Sequence, residues 1–189
     1  MARDWFQQRN SAYKKNQKNR QDISQMQFIN YFFASLVSFA GLLIGLILVK
    51  IAPEEQKPLQ KYFIVLRTIL LLMIFIFLFF YFFNITSYLL ILIAYFAFLL
   101  FTEYNMNDLF KKTIITYVSL GILFFLSSKN TNLFAIESSL ILLYGLPTAS
   151  LIYNKKDKNH NKIIFYNIGF IIISTLLFFI WLPLFISYF

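Results

Sequence analysis

The side chains that could do chemistry in this sequence are few, and they lie beside or inside long apolar segments. Glu103, Asn107 and Asp108 form the densest polar cluster, while Arg67 and Glu137 are charges inside apolar segments. An ionisable side chain within a membrane is a candidate functional site, because its burial there is costly. Arg67 and Glu137 are therefore the candidate intramembrane polar site, and Glu103, Asn107 and Asp108 are a weaker interfacial candidate. Arg67 has a second interpretation, in which its guanidinium snorkels back to the lipid headgroups.

Recognised signatures of catalysis, cofactor binding and metal binding are missing from the sequence. The chain has no cysteine and a single histidine, His160, and it lacks Gly-rich phosphate loops and nucleophile elbows. Glu103 and Asp108 are five residues apart, so they do not share a helix face, and with His160 they match no metal-ligand spacing. The sequence thus predicts no cofactor and no metal site, and it favours a protein that is not an enzyme.

The elements that must hold these residues are apolar helices, and the longest apolar stretch runs from Tyr62 to Phe101. Roughly 20 apolar residues cross the hydrocarbon core of a bilayer as a helix, so this stretch is long enough for two crossings. Turn-forming polar residues interrupt it at 83–87, around Asn84. We therefore predict a helical hairpin with its tip at Asn84 to Ser87.

The same pattern over the rest of the chain predicts an all-α, polytopic membrane bundle of six transmembrane helices in a single domain, 28–189. Its hydrophobic content is 59% and its charged content 13%, against about 25% charged residues in soluble domains. The 113–128 segment is short, so the alternative is five crossings plus a re-entrant segment. Six crossings place almost equal numbers of Lys and Arg on the two sides of the membrane. Five crossings place clearly more of them on one side, which is the asymmetry that membrane proteins usually show. The predicted spans are 28–51, 62–83, 85–102, 113–128, 133–153 and 163–187.

A seam of small residues follows one stripe of the first span. It consists of Ala34, Ser38, Gly41 and Gly45, at spacings of four, three and four residues. Gly41 and Gly45 also form a GxxxG pair, and small residues allow helix backbones to approach closely in lipid. The seam is predicted to contact a neighbouring helix, either of this chain or of another subunit; a chance alignment of small residues is the alternative.

The amino-terminal segment, 1–27, is polar and basic, in a chain whose net charge is +9. It is either a solvated tail, partly helical, or an arm that docks on an acidic partner or on anionic lipid headgroups. No nucleic-acid-binding module accompanies the charge, so nucleic acid is not an expected partner.

Three functions fit these features, in this order. The first is a non-catalytic membrane subunit or assembly partner of a larger complex, which rests on the seam and the tail. The second is a small-solute carrier or carrier subunit, which rests on Arg67 and a proline-containing fifth span. The third is a lipid-modifying enzyme with its site near Glu103 and Asp108. Membrane lipids and other membrane subunits are the expected partners. The residue bias favours AT-rich codons, and hence a bacterial plasma membrane or an organellar inner or thylakoid-type membrane.

Overall fold

The computed structural model of the chain describes residues 28–54, 56–83, 86–106, 108–153 and 160–187. Side chains are described in these ranges except at 57, 86–88, 160–161 and 181–187. The predicted basic tail and Asn107 lie outside the described residues.

The chain divides into two compact units, Met1–Phe33 and Ala34–Phe189. In the described part of the first unit, the rings of Phe28 and Phe32 stack with their centroids 6.1 Å apart. The second unit contains the helical bundle.

The described secondary structure is entirely helical, which confirms the predicted all-α membrane fold. The helices, numbered in chain order, are α1 (Phe28–Ile51), α2 (Gln56–Phe82), α3 (Thr86–Asn105), α4 (Leu109–Ser127), α5 (Thr131–Ile152), α6 (His160–Asn167) and α7 (Gly169–Ser187).

Five helices of the described chain are long and apolar enough to cross a membrane. They cover Phe28–Ile51, Pro58–Phe82, Leu109–Ser127, Thr131–Ile152 and Lys162–Ile180. These lengths and compositions identify an integral, multi-pass membrane protein. The remaining apolar helix is shorter, Leu89–Asn105, and it lies within α3.

The fourth span is longer than the sequence predicted. The predicted start at 113 was wrong, because α4 begins at Leu109 and places Lys111 and Lys112 inside the helix. Asp108 is the N-cap, and its side chain accepts hydrogen bonds from the backbone N–H groups of Phe110, at 3.0 Å, and Lys111, at 3.4 Å. The cap stabilises the start of the helix at Leu109, four residues before the predicted span.

Contacts between helices fix the directions in which they run. The Gln56 side-chain amide, at the start of α2, donates to the carbonyls of Ser150 (2.7 Å) and Tyr153 (2.6 Å), at the end of α5. By contrast, Ser38 of α1 lies 3.1 Å from the carbonyl of Ser138, in the first half of α5. Helices α1 and α5 therefore run in parallel and α2 runs against both, as six crossings require; five crossings with a re-entrant segment would make α2 and α5 parallel.

Helices α1 and α5 meet at glycines, and the approach is close enough to exclude a side chain. A Cβ atom on Gly41 would overlap the backbone carbonyl of Leu142, and one on Gly145 would overlap the backbone of Gly41 and Leu42. A Cβ on Gly45 would lie 2.7 Å from the Leu146 carbonyl oxygen. Ser38, Gly41 and Gly45 of the predicted seam thus pack within this chain, where van der Waals contact holds the two helices together.

Aromatic rings fill the centre of the bundle. Tyr117 of α4 is fully buried, and its ring meets Phe39 of α1, Tyr144 of α5 and Phe170 of α7 at centroid distances of 6.2, 6.0 and 6.2 Å. These are edge-to-face contacts, the arrangement that the ring quadrupoles favour. Through Tyr117, α4 connects three other helices.

The Asp108 cap gives a first prediction. Asp108→Ala should lower the free energy of unfolding by about 1 kcal/mol, since two backbone N–H groups lose their acceptor. Asp108→Asn is the matched control, because it keeps the cap while removing the exposed ion pair with Lys111, whose atoms are 4.0 Å apart and which contributes little. Thermal unfolding in detergent measures both. Equal losses in the two variants would contradict the capping role.

Candidate functional site

Arg67 is buried in the bundle and does not snorkel toward the headgroups. It lies in the first half of α2 and is 2% exposed. Its Nη2 donates to Oε2 of Glu103 at 2.7 Å, and its Nε donates to the hydroxyl of Tyr144 at 3.0 Å. One guanidinium therefore ties α2 to α3 and α5 at once, which its planar fork of donors permits.

Glu103 also binds a second cation. Its Oε1 lies 3.4 Å from Nζ of Lys112, in the first turn of α4. Each carboxylate oxygen therefore faces one positive charge. Arg67, Glu103, Lys112 and Tyr144, called the Arg67 cluster below, bring together four helices with two cations and one carboxylate.

The connections between helices explain why these residues meet. Helices α2 and α3 are joined by the short break at 83–85, and Arg67 and Glu103 lie at similar distances from it, so an antiparallel pairing places them at one level. Phe75 of α2 packs on Phe96 of α3 with centroids 4.7 Å apart, which holds that pairing. The connection between α3 and α4 then brings Lys112 back beside Glu103.

The Arg67 cluster lies near one end of the bundle. Glu103 and Lys112 are close to the adjoining ends of α3 and α4, whereas Arg67 is about 13 Å inside the span that begins at Pro58, by helix rise. The exposed fractions of the side chains rise in the same direction, from 3% for Arg67 to 10% for Lys112 and 18% for Glu103. The cluster is accordingly closest to water on the side where Gln56 and Asn105 lie.

A buried hydroxyl beside the Arg67 cluster has no hydrogen-bond partner among the residues that the structure describes. It belongs to Tyr117, whose ring contacts that of Tyr144. A hydroxyl usually forms a hydrogen bond when it is buried, so an unpaired one needs an explanation.

Glu137 is a separate feature. It lies in α5, is fully buried, and neither carboxylate oxygen has a hydrogen-bond partner among the described residues. It belongs to none of the ion pairs found there. Arg67, with which the sequence grouped it as one candidate site, binds Glu103 instead.

The interfacial candidates separate in the same way. Glu103 joins the Arg67 cluster and Asp108 caps α4, while Asn107 lies outside the described residues, as does the side chain of His160. Among the side chains that the structure describes, no three His, Cys, Asp or Glu residues are grouped as a metal site would require.

Two members of the Arg67 cluster were missed in the sequence. Lys112 was placed in a solvated loop because the start of α4 was put too late. Tyr144 is one of 12 tyrosines, and only its position beside Gly145, on the face that packs against other helices, distinguishes it.

Comparisons with protein-family models, with curated proteins and with solved structures give no match for this chain.

Proposed function

We propose that this chain is a membrane carrier, or a carrier subunit, for a small anionic solute. The observation that carries the proposal is the Arg67 cluster, in which two cations share one carboxylate inside a membrane bundle. Charged groups in that position commonly mark the path of an ion or substrate. The composition favours a bacterial plasma membrane or an organellar inner or thylakoid-type membrane as its location.

The charge and the free donors of the cluster favour an anion. Two positive charges against one negative leave an unbalanced positive charge, and low polarity around it strengthens its attraction for a counter-ion. Tyr144 accepts a hydrogen bond from Arg67, so its own O–H group can donate. The ring of Tyr117, whose hydroxyl has no partner among the described residues, contacts the ring of Tyr144. Lys112 pairs with Glu103 through its ammonium group, which carries three N–H donors. These groups can surround a small oxyanion or carboxylate.

The first function that the sequence suggested, a subunit of a larger complex, loses one of its supports. The seam that would have bound a second subunit packs α1 on α5 within this chain. What still favours a subunit is the apolar surface of α2 and α7, whose spans are 28% and 22% buried against 44–50% for the other long helices. Lipid covers such a surface as well as a partner does. Stoichiometric co-purification of another membrane protein in mild detergent would support this second candidate.

The carrier proposal predicts anion flux that depends on Lys112. Purified protein in liposomes should accelerate uptake of at least one labelled anion from chloride, inorganic phosphate, acetate and lactate. Lys112→Gln should reduce that flux about tenfold or more, because a lost charge-assisted hydrogen bond costs roughly 1.5–3 kcal/mol.

Lys111→Gln is the matched control for this experiment. It makes the same change one residue away, at a side chain that is 70% exposed and outside the cluster. Its flux should equal that of the unmodified protein. Flux no greater than in empty liposomes for all four anions, or equal loss in the two variants, would contradict the proposal.

A further inference from the structure

Glu137 is a buried acid that the Arg67 cluster does not use. Its side chain is fully enclosed in the bundle, on a helix packed against α1, α2 and α4. Neither of its oxygens has a hydrogen-bond partner within the described chain. An ionised carboxylate there would have lost its water without gaining a donor or a cation, whereas a neutral carboxyl avoids most of that cost.

The charged groups on the neighbouring helices are engaged elsewhere. Arg67 of α2 and Lys112 of α4 bind Glu103, and Tyr117 of α4 contacts Tyr144, seven residues and about 10 Å along α5 from Glu137. On α1, Lys50 lies at the end of the helix and is exposed, while Tyr31 lies near its start. On α2 and α4 the other titratable side chains lie toward the helix ends: Lys61, Tyr62, Tyr81 and Lys111. None of these groups makes a hydrogen bond or an ion pair with Glu137.

We propose that Glu137 is an intramembrane proton-binding site, through which the carrier couples movement of its anion to movement of a proton. In the state described, the carboxyl holds the proton as a covalent O–H bond. When a conformational change admits water, that bond breaks, the proton passes to water as hydronium, and the carboxylate keeps the electron pair. The coupling, though not the proton site, rests on the proposed carrier function.

A proton fits this site better than a metal ion does. Sodium, potassium and calcium ions need several oxygen ligands around them. The described residues supply no second carboxylate at Glu137, and no group of three acidic, His or Cys side chains anywhere among them. The nearby Ser138 hydroxyl already donates to the carbonyl of Phe134. A proton needs only the carboxyl itself.

Infrared spectroscopy of the full chain in liposomes tests the proton site directly. We expect a C=O stretching band of a protonated carboxylic acid that shifts in deuterated water, disappears in Glu137→Gln and persists in Glu103→Gln. Glu103 is the matched control because its carboxylate is paired with two cations, whereas Glu137 has no such partner among the described residues. A band that is missing from the unmodified protein, or that Glu137→Gln leaves unchanged, would overturn the proposal whatever the protein transports.

Transport then tests the coupling. An imposed pH gradient should accelerate anion uptake several-fold in the unmodified protein and leave uptake by Glu137→Gln unchanged, while exchange of anion for anion continues in both. If the pH gradient leaves the rate of anion uptake by the unmodified protein unchanged, the coupling is overturned. A protein that shows the acid band but carries no anion would overturn the carrier function and leave the proton site standing.

Discussion

Gly41→Ala is expected to destabilise the protein by about 3 kcal/mol, at the upper end of the cost of overpacking. The added Cβ would overlap the backbone carbonyl of Leu142, and a backbone atom cannot rotate aside as a side chain can. Helices α1 and α5 would have to separate and lose the contacts that hold them together in lipid. Thermal unfolding of the purified protein in detergent measures the loss.

Gly169→Ala provides the matched control, since it makes the same change in α7. There the nearest atom to the new Cβ is Cγ2 of Val118 at 3.4 Å, an ordinary contact. Alanine also favours helix over glycine, so this variant should be neutral or slightly stabilising. Gly145→Ala should resemble Gly41→Ala, and the double variant should cost less than their sum, because both force the same separation. Equal tolerance of Gly41→Ala and Gly169→Ala would mean that the close approach is absent.

Periodicity within single helices was readable from the sequence, whereas contacts between helices were readable only in part. The spacing of Gly41 and Gly45 marked one stripe of α1, because helix geometry alone determines which residues share a face. Their partner Gly145 lies in the fifth span, which was interpreted only as proline-containing. The spacing of residues along α5 does not show whether a glycine weakens the helix or allows the backbone of a neighbouring helix to approach closely.

The Arg67–Glu103 pair could have been predicted from the hairpin. Both residues lie at similar distances from the break at 83–85, so antiparallel pairing puts them at one depth. Arg67 was grouped with Glu137 because both lie inside apolar segments, and Glu103 was assigned to the interface. Position near a helix end does not exclude burial, since α3 is shorter than α2 and ends beside the middle of its neighbour.

Lys112 was assigned to solvent for a similar reason. Two adjacent lysines suggest a loop outside the membrane, yet α4 places Lys111 outward and Lys112 inward. The lysine stem covers apolar surface while its ammonium reaches Glu103. Whether Lys112 faces solvent or the bundle depends on the Glu103 carboxylate, which belongs to α3. The sequence of α4 alone does not show that partner.

Breaking the Arg67 pair should have an effect as large as that of the glycine variants. Arg67→Leu removes the donor to Glu103 and to Tyr144 together, and loss of one partner of a buried ion pair costs about 3–5 kcal/mol. Lys112 remains on the other oxygen of Glu103, which places the expected loss near the lower end of that range. Unfolding in detergent measures it.

A double-mutant cycle separates the pair from its surroundings. Arg67→Leu combined with Glu103→Leu should lower the free energy of unfolding by less than the sum of the two single changes. The difference should be well over ~0.5 kcal/mol, the limit within which independent sites are additive. Arg67→Leu combined with Glu137→Leu should be additive within that limit. The second cycle is the control, because it removes another buried carboxylate that has no contact with Arg67.

The same two cycles test the directions of the helices. Coupling of Arg67 to Glu103 requires α2 and α3 to be antiparallel neighbours with both residues at one depth, an arrangement that six and five crossings share. Coupling of Arg67 to Glu137 would instead require α2 and α5 to begin on the same side of the membrane, which five crossings and a re-entrant segment would produce. Strong coupling to Glu137 with additivity at Glu103 would therefore overturn both the arrangement of the bundle and the Arg67 cluster on which the carrier proposal rests.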